Sequence, residues 1–307
     1  IIYTHIIALK VDYYERIVYI VNPQIGVQMM MLKQKVEKDG IYNVLRTIHD
    51  LGYQAVEVSQ IEMTPHNISQ MQKAIQDFDI NIAAMSCGVE DISTNQKYPG
   101  DTLQNDFEKI VADCKAVDCN ILRIGMLPMN YMGSKERTLN FAKICDDYAQ
   151  RLKAEGIDLY YHAHNLEFVR YDGQFMLDLM RDNTENLGFE LDVHWIWRAG
   201  LNPIDVIPNY AQRIRAIHLK DFRVGEIDMD QYPGEGHEKI YYMLHMITQF
   251  AELGEGTLPL KDIIEVGLES GSEYFFVEQD ELYGADPYDC LVTSRDHLLE
   301  LGYKHWF

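Results

Sequence analysis

The feature that most constrains this chain is a rhythm. From Ile25 to the end, short apolar runs alternate with amphipathic ones. The strand-like runs are Ile25–Met29, Ala55–Val58, Ile80–Ala84, Ile121–Gly125, Ile157–Tyr161, Phe189–His194, Ile214–His218 and Tyr274–Glu278. Between them apolar residues recur at helical spacing. Ile41, Val44, Leu45 and Ile48 share one face of a helix that Gly52 stops. Further helices are expected near 66–78, 103–114, 139–152 and 173–182, in a short turn after Pro203, from near Lys261, and from Asp286-Pro287 to Gly302. The strands are mostly apolar, as strands covered on both faces must be. Eight such repeats predict an α/β fold, a TIM (β/α)8 barrel. A doubly wound sheet is the alternative, but it more often carries a glycine-rich turn after its first strand, and Gln28-Met29-Met30-Met31 stands there.

Two stretches fall outside the rhythm. Residues 1–22 are β-prone, with Ile6, Ile7, Leu9, Val11 and Ile17–Val21 before an Asn22-Pro23 turn. They read as an N-terminal extension preceding a barrel domain at 23–307. Roughly forty residues separate His218 from Lys261, where a βα loop usually has two to six. Ile240, Met243, Leu244, Ile247 and Phe250 mark an extra helix in this insertion, about 222–256. After a barrel strand, an insertion sits at the active-site mouth, as a lid or a partner surface.

Composition excludes several partners. The chain has 307 residues, 47% of them apolar, enough for a large core. Its 27 basic and 48 acidic residues leave a net charge of −21, which repels phosphate backbones and anionic lipid surfaces. The five cysteines are odd in number and no two have Cys-x-x-Cys spacing, which suits a reducing, cytoplasmic setting. No apolar run approaches a membrane span, and the start lacks the basic-then-apolar pattern of a secretory leader.

The strand ends carry the chemistry. Side chains alternate along a strand, so His162 and His164 share one face, Tyr161 and Ala163 the other. Other strand ends offer Glu57, Asp192 with His194, His218 with Lys220, and Glu278. In a TIM barrel all of these point to one mouth. His162, Asp192, His218 and Glu278 end the fifth to eighth strands in turn. They form a mixed nitrogen and oxygen shell suited to Mn²⁺, Zn²⁺ or a similar ion. Each has a plainer explanation: a satisfied core histidine, a solvated glutamate, an Asp192 that caps a helix. The coincidence of all four at one mouth favours a metal site.

Taken together, Ile25–Gln28, Gly52–Glu57, Tyr161–Phe168, Glu190–Trp195, His218–Asp221, Glu252–Gly256 and Val277–Asp280 resemble the sugar isomerase/epimerase group with a xylose-isomerase-like barrel. That resemblance implies a divalent metal, often manganese, on Asp192, His218 and Glu278. Many members have glutamate at the strand-five position where this chain has His162, so His162, His164 or water completes the set. It also implies a proton moved beside a sugar carbonyl. His164 is the expected base, because imidazole titrates near working pH. Glu57, His194 and Lys220 are supporting polar groups, and His162 is the next candidate base. Trp195, Trp197 and Tyr160 offer apolar faces to a sugar or aglycone, or simply pack. The extension and insertion look more like the catalytic α subunit of the C-glycoside deglycosidases. This branch implies a 3-oxo-glycoside substrate, β-elimination and a small β-rich partner subunit, with a homo-oligomer as the other assembly. A keto-sugar isomerase or epimerase is the competing reading. An apurinic endonuclease shares the barrel but conflicts with the net charge of −21, and a non-catalytic sugar-binding barrel conflicts with the ligand set.

An apolar β edge invites pairing with another chain. Deleting residues 1–20 is therefore expected to weaken assembly, read by sedimentation, more than it weakens barrel folding. An unchanged monomer with and without the deletion would contradict this.

Overall fold

The computed structural model describes residues 23–226, 230 and 234–307. Eight strands close into a barrel: β1 (Gln24–Gln28), β2 (Ala55–Val58), β3 (Asn81–Cys87), β4 (Ile121–Ile124), β5 (Asp158–His162), β6 (Gly188–Asp192), β7 (Ala216–Leu219) and β8 (Tyr274–Val277). Each pairs in parallel with the next, and β8 closes on β1 through Gly26 opposite Phe276. Helices cover the outside. Ile41–Asp50 buries Ile41, Val44, Leu45 and Ile48, the face its spacing foretold. Other helices start at side-chain caps: Thr64 accepts from the Asn67 N–H, Ser134 from Arg137 and Asp286 from Tyr288. Among the described residues, no helix is long and apolar enough to cross a membrane.

The expected extension at 1–22 lies outside the described residues. In the insertion, the helix is Gly236–Met246 and does not reach Phe250. Instead Thr248–Ala251 pairs antiparallel with Asp221–Val224, Phe250 opposite Phe222. The apolar spacing there was compatible with either structure, and pairing with the chain leaving β7 decided it. Ahead of the helix Met176–Asp182, the chain makes a small hairpin, Arg170–Tyr171 against Gln174–Phe175. Asp172 and Gly173 turn it with φ of 52° and 86°, the positive angles such a tight turn requires.

Inside the barrel, inward side chains stack in levels. The lower level holds Ala55, Ala84, Ile121, Tyr160, Ala216 and Phe276. Two rings fill a space that small residues leave. A methyl on Gly26 would stand 2.8 Å from the Phe276 ring and from the Ala55 carbonyl, and one on Gly188 would run into the Tyr160 ring. Tyr160 therefore plugs the barrel below the mouth, the packing alternative of the two readings the sequence left open. Overpacking of this kind costs about 1–3 kcal/mol. Gly188→Ala is expected to lower stability by that amount in urea unfolding; an unchanged midpoint would mean the interior has slack.

Candidate active site

One pleat above the Tyr160–Phe276 level, the inward residue of nearly every strand is polar. Gln28, Glu57, Arg123, His162, Glu190, His218 and Glu278 are each no more than 3% exposed. Asp192, two residues further along β6, and Lys220, just past the end of β7, are equally buried. Isolated charges cannot remain there, so they pair. His218 Nδ1 lies 2.8 Å from Glu278 Oε2, and its Nε2 lies 3.2 Å from both Glu57 Oε2 and Glu190 Oε2. Arg123 Nε is 2.6 Å from Glu57 and 3.2 Å from Glu190. Lys220 Nζ sits among Asp192 at 2.9 Å, Glu278 at 2.7 Å and Asp280 at 2.9 Å. Gln28 donates to the other Glu278 oxygen at 2.7 Å.

These neighbours set the protonation states. Burial disfavours the Glu57 carboxylate, but Arg123 and His218 hold its pKa down at about 2. Burial and the nearby Glu57 charge push Glu190 up to about 7. Glu278 stays well below the usual range despite its burial, because Lys220 and His218 face it. His218 is held well above the ordinary imidazole value, against burial, by Glu190, Glu57 and Glu278. His162 is driven well below that value by burial and by His218 beside it.

The structure brings together the four residues singled out as ligands. His162, Asp192, His218 and Glu278 each present a donor atom, all buried and all within 4.8 Å of one another. His162 Nδ1 makes no hydrogen bond, although Glu190 Oε2 lies 3.3 Å from it. Asp192 divides its oxygens: Oδ1 accepts the N–H groups of His194 at 2.9 Å and Trp195 at 3.1 Å, capping the helix Val193–Arg198, while Oδ2 faces Lys220 and the cluster. The cap thus occupies one oxygen and leaves the other toward the cluster. Two imidazoles and two carboxylates in a compact buried group fit a divalent ion of the manganese or zinc type. Behind them, Glu57, Glu190 and His218 form a second close group that fixes the His218 ring.

His164 lies two residues beyond the end of β5 rather than within it. Its ring still reaches the site, edge-on to His162 at 4.6 Å and 5.8 Å from Trp195. Burial and the Lys220 ammonium push its pKa down to about 3, so it does not titrate near working pH as the sequence reading supposed; what remains is a neutral imidazole whose buried Nδ1 has no hydrogen-bond partner. Above the polar level opens a cavity of about 570 Å³. Gln28, Arg123, His162, His164, Lys220, Glu278 and Asp280 line it, with Met30, Ile92, Tyr98, Met126, Leu166 and Trp195 from the loops and Phe250 from the insertion. The other expected groups do not line it: Asp192 and His218 lie in the buried level below its wall, and Tyr160 lies in the plug. Glu57 lies beneath, bound to Arg123 and His218. His194 stacks on Phe250 at 4.6 Å, and Trp197 is part-exposed against Phe222. Sequence reasoning passed over Arg123, Glu190, Gln28 and Asp280. Gln28, Arg123 and Glu190 each stand two residues from another inward position on their strands, so period-two counting could have found them, whereas Asp280 lies beyond the end of β8.

Asp192→Asn retains a capping oxygen but not the carboxylate charge, whereas Asp192→Ala loses both. Both are expected to lose most Mn²⁺ affinity by calorimetric titration. Only the alanine variant is expected to lose about 1 kcal/mol of stability from the lost cap. Full affinity in Asp192→Ala and in Glu278→Ala would rule the four-residue site out.

Comparison with known proteins agrees with this architecture. A family model described as xylose isomerase-like TIM barrel matches residues 45–287. An inosose dehydratase from Clostridium beijerinckii is 26% identical over 151 residues, 48% of this chain and 48% of that protein. The chain thus spans about half the length of such relatives in the match. Among solved structures, a sugar phosphate isomerase/epimerase from Parabacteroides distasonis superposes with a TM-score of 0.67 at 16% identity, covering 92% of this chain and 95% of that one. A 3-keto-D-glucoside 4-epimerase from E. coli does so with a TM-score of 0.63 at 15% identity, covering 91% and 98%. At these identities the two structures speak to the fold. The family match spans most of the chain, and the chain belongs to the xylose isomerase-like TIM barrel family.

Proposed function

We propose that this chain is a divalent-metal-dependent enzyme of oxo sugars that removes a proton from the carbon beside a ketone. Our specific reading is a C-glycoside deglycosidase catalytic subunit that cleaves a 3-oxo-glycoside by β-elimination. The observation that carries the proposal is the close pairing of the His162, Asp192, His218 and Glu278 donor set with the neutral imidazole of His164, whose Nδ1 has no hydrogen-bond partner. A carbon beside a ketone is too weak an acid for a free side chain at neutral pH. A divalent ion held by the four donors, manganese on our reading, would supply positive charge where the ketone oxygen gains negative charge. His164 takes the proton. Lys220, held by Asp192, Glu278 and Asp280, keeps a further positive charge at the cavity floor. Trp195 and Phe250 help exclude water from the reacting carbon.

The similar proteins support the class. An inosose dehydratase by name eliminates water from an oxo compound. A 3-keto-D-glucoside 4-epimerase by name inverts the carbon next to a keto carbon. Both names imply the same first proton removal and differ in the second step. The apolar loop residues above the polar floor favour an amphipathic ligand, a sugar ring carrying an apolar group, and so a glycoside. The epimerase names favour the second reading, a keto-sugar isomerase or epimerase. The insertion exposes Val224 at 70% and Ile240 at 50%, which supports a contact there with a small β-rich subunit or a second copy. Five unpaired, buried cysteines fit a cytoplasmic setting.

His164→Ala is expected to keep the ion and lose roughly 10²- to 10⁴-fold in rate, the usual worth of a positioned base. Substrate deuterated beside the ketone should react more slowly with the wild type if proton removal limits the rate. A free aglycone with an unsaturated or hydrated oxo sugar means a lyase; a rearranged sugar still bearing its aglycone means an isomerase or epimerase. Near-normal turnover by His164→Ala would transfer the base role to His162 or Glu278.

A further inference from the structure

Glu167 is wholly buried, lies off the cavity, and takes no part in the chemistry above. Its two oxygens make different connections. Oε2 accepts the backbone N–H of His164 at 2.8 Å, and Oε1 accepts the Tyr161 hydroxyl at 2.6 Å. Tyr161 sits on the outer face of β5, fully buried, with its ring edge-on to Phe141 at 5.8 Å. One carboxylate therefore ties the rigid outer face of the strand to the peptide that carries His164. The tie is needed because the barrel ladder ends just short of that residue. The Ala163 N–H still bonds to the Glu190 carbonyl at 3.1 Å, but beyond it the chain turns away through Leu166–Phe168. Bonds from a carboxylate to two buried donors are stronger than neutral ones, and a buried carboxylate without them is costly.

We infer that Glu167 is a positioning residue, which holds the turn after β5 so that the His164 imidazole faces the site, with Tyr161 holding Glu167 in turn. This rests on the reading of His164 as the base. A misplacement of about 1 Å at a reacting group can cost 10²-fold in rate.

The test uses the full chain loaded with Mn²⁺ and methyl 3-oxo-glucoside as substrate. Glu167→Gln is expected to lower kcat about 10- to 100-fold, with KM and Mn²⁺ affinity unchanged within twofold. In a His164→Ala background the same change should cost nothing further, because the group it positions is gone. Tyr161→Phe, which removes only the hydroxyl, should act in the same direction and serves if Glu167→Gln does not fold. Equal losses in both backgrounds, or a loss of Mn²⁺ affinity that accounts for the fall in rate, would overturn the inference. A second readout needs no turnover. In ¹⁵N-histidine-labelled protein without metal, the His164 ring signals should shift in Glu167→Gln while those of His218 hold. His164 signals that stay put would likewise overturn it. If His164→Ala turns over normally, the base assignment fails, and these ring signals alone decide whether Glu167 positions the ring.

Discussion

Charges buried in the middle of a barrel must neutralise one another, and this chain is organised around that requirement. Glu57, Arg123, Glu190, His218, Glu278, Lys220 and Asp192 occupy one thin band above the Tyr160–Phe276 plug. Each is almost wholly buried, so each depends on the others. Removing one partner of such a group typically costs about 3–5 kcal/mol, because a bare charge is left behind. Arg123 shows the point: it is the cation shared by Glu57 and Glu190, and it also donates to Ser59 at 3.0 Å. A band so densely paired is preorganised, which is what the proposed site for an ion and a sugar requires.

The loops above the band are pinned by carboxylates at the strand ends. Asp192 starts a helix with one oxygen and faces the cluster with the other. Asp221, just after β7, accepts from the N–H groups of Phe222 at 2.8 Å, Thr257 at 3.0 Å and Leu258 at 3.0 Å. A methyl on Gly256 would run into that carboxylate, so glycine allows the approach. One aspartate thus gathers both ends of the insertion, and the short ladder between them brings Phe250 to the cavity wall. The insertion is built into the site at its base, while Val224 and Ile240 face outward.

Much of this was legible in the sequence because barrel strands put their C-terminal residues at one mouth. His162, Asp192, His218 and Glu278 stood out as polar ends of apolar runs. Arg123 and Glu190 lie inside their strands, where an overall apolar character hid them, and only the inward face shows what they are. For Tyr160 the sequence left packing and ligand contact open for a related reason. It shares a face with His162, but two residues along a strand is roughly 6–7 Å of depth, enough to move a ring from the mouth into the plug. The period-two rule also stops at the strand end. It named the correct side for His164, yet the direction of that ring depends on the turn that Glu167 holds, and sequence spacing does not describe such a turn. In the insertion, helix and strand spacings competed over the same apolar residues, and a long-range pairing settled Phe250.

The most direct test of the account is where a metal goes. Anomalous diffraction at the manganese edge, from crystals of the full chain grown with Mn²⁺, locates the ion without reference to turnover. The account predicts a single strong peak per chain among His162, Asp192, His218 and Glu278, with Lys220 drawn toward Asp280. No peak there, with Lys220 still between Asp192 and Glu278, would contradict it.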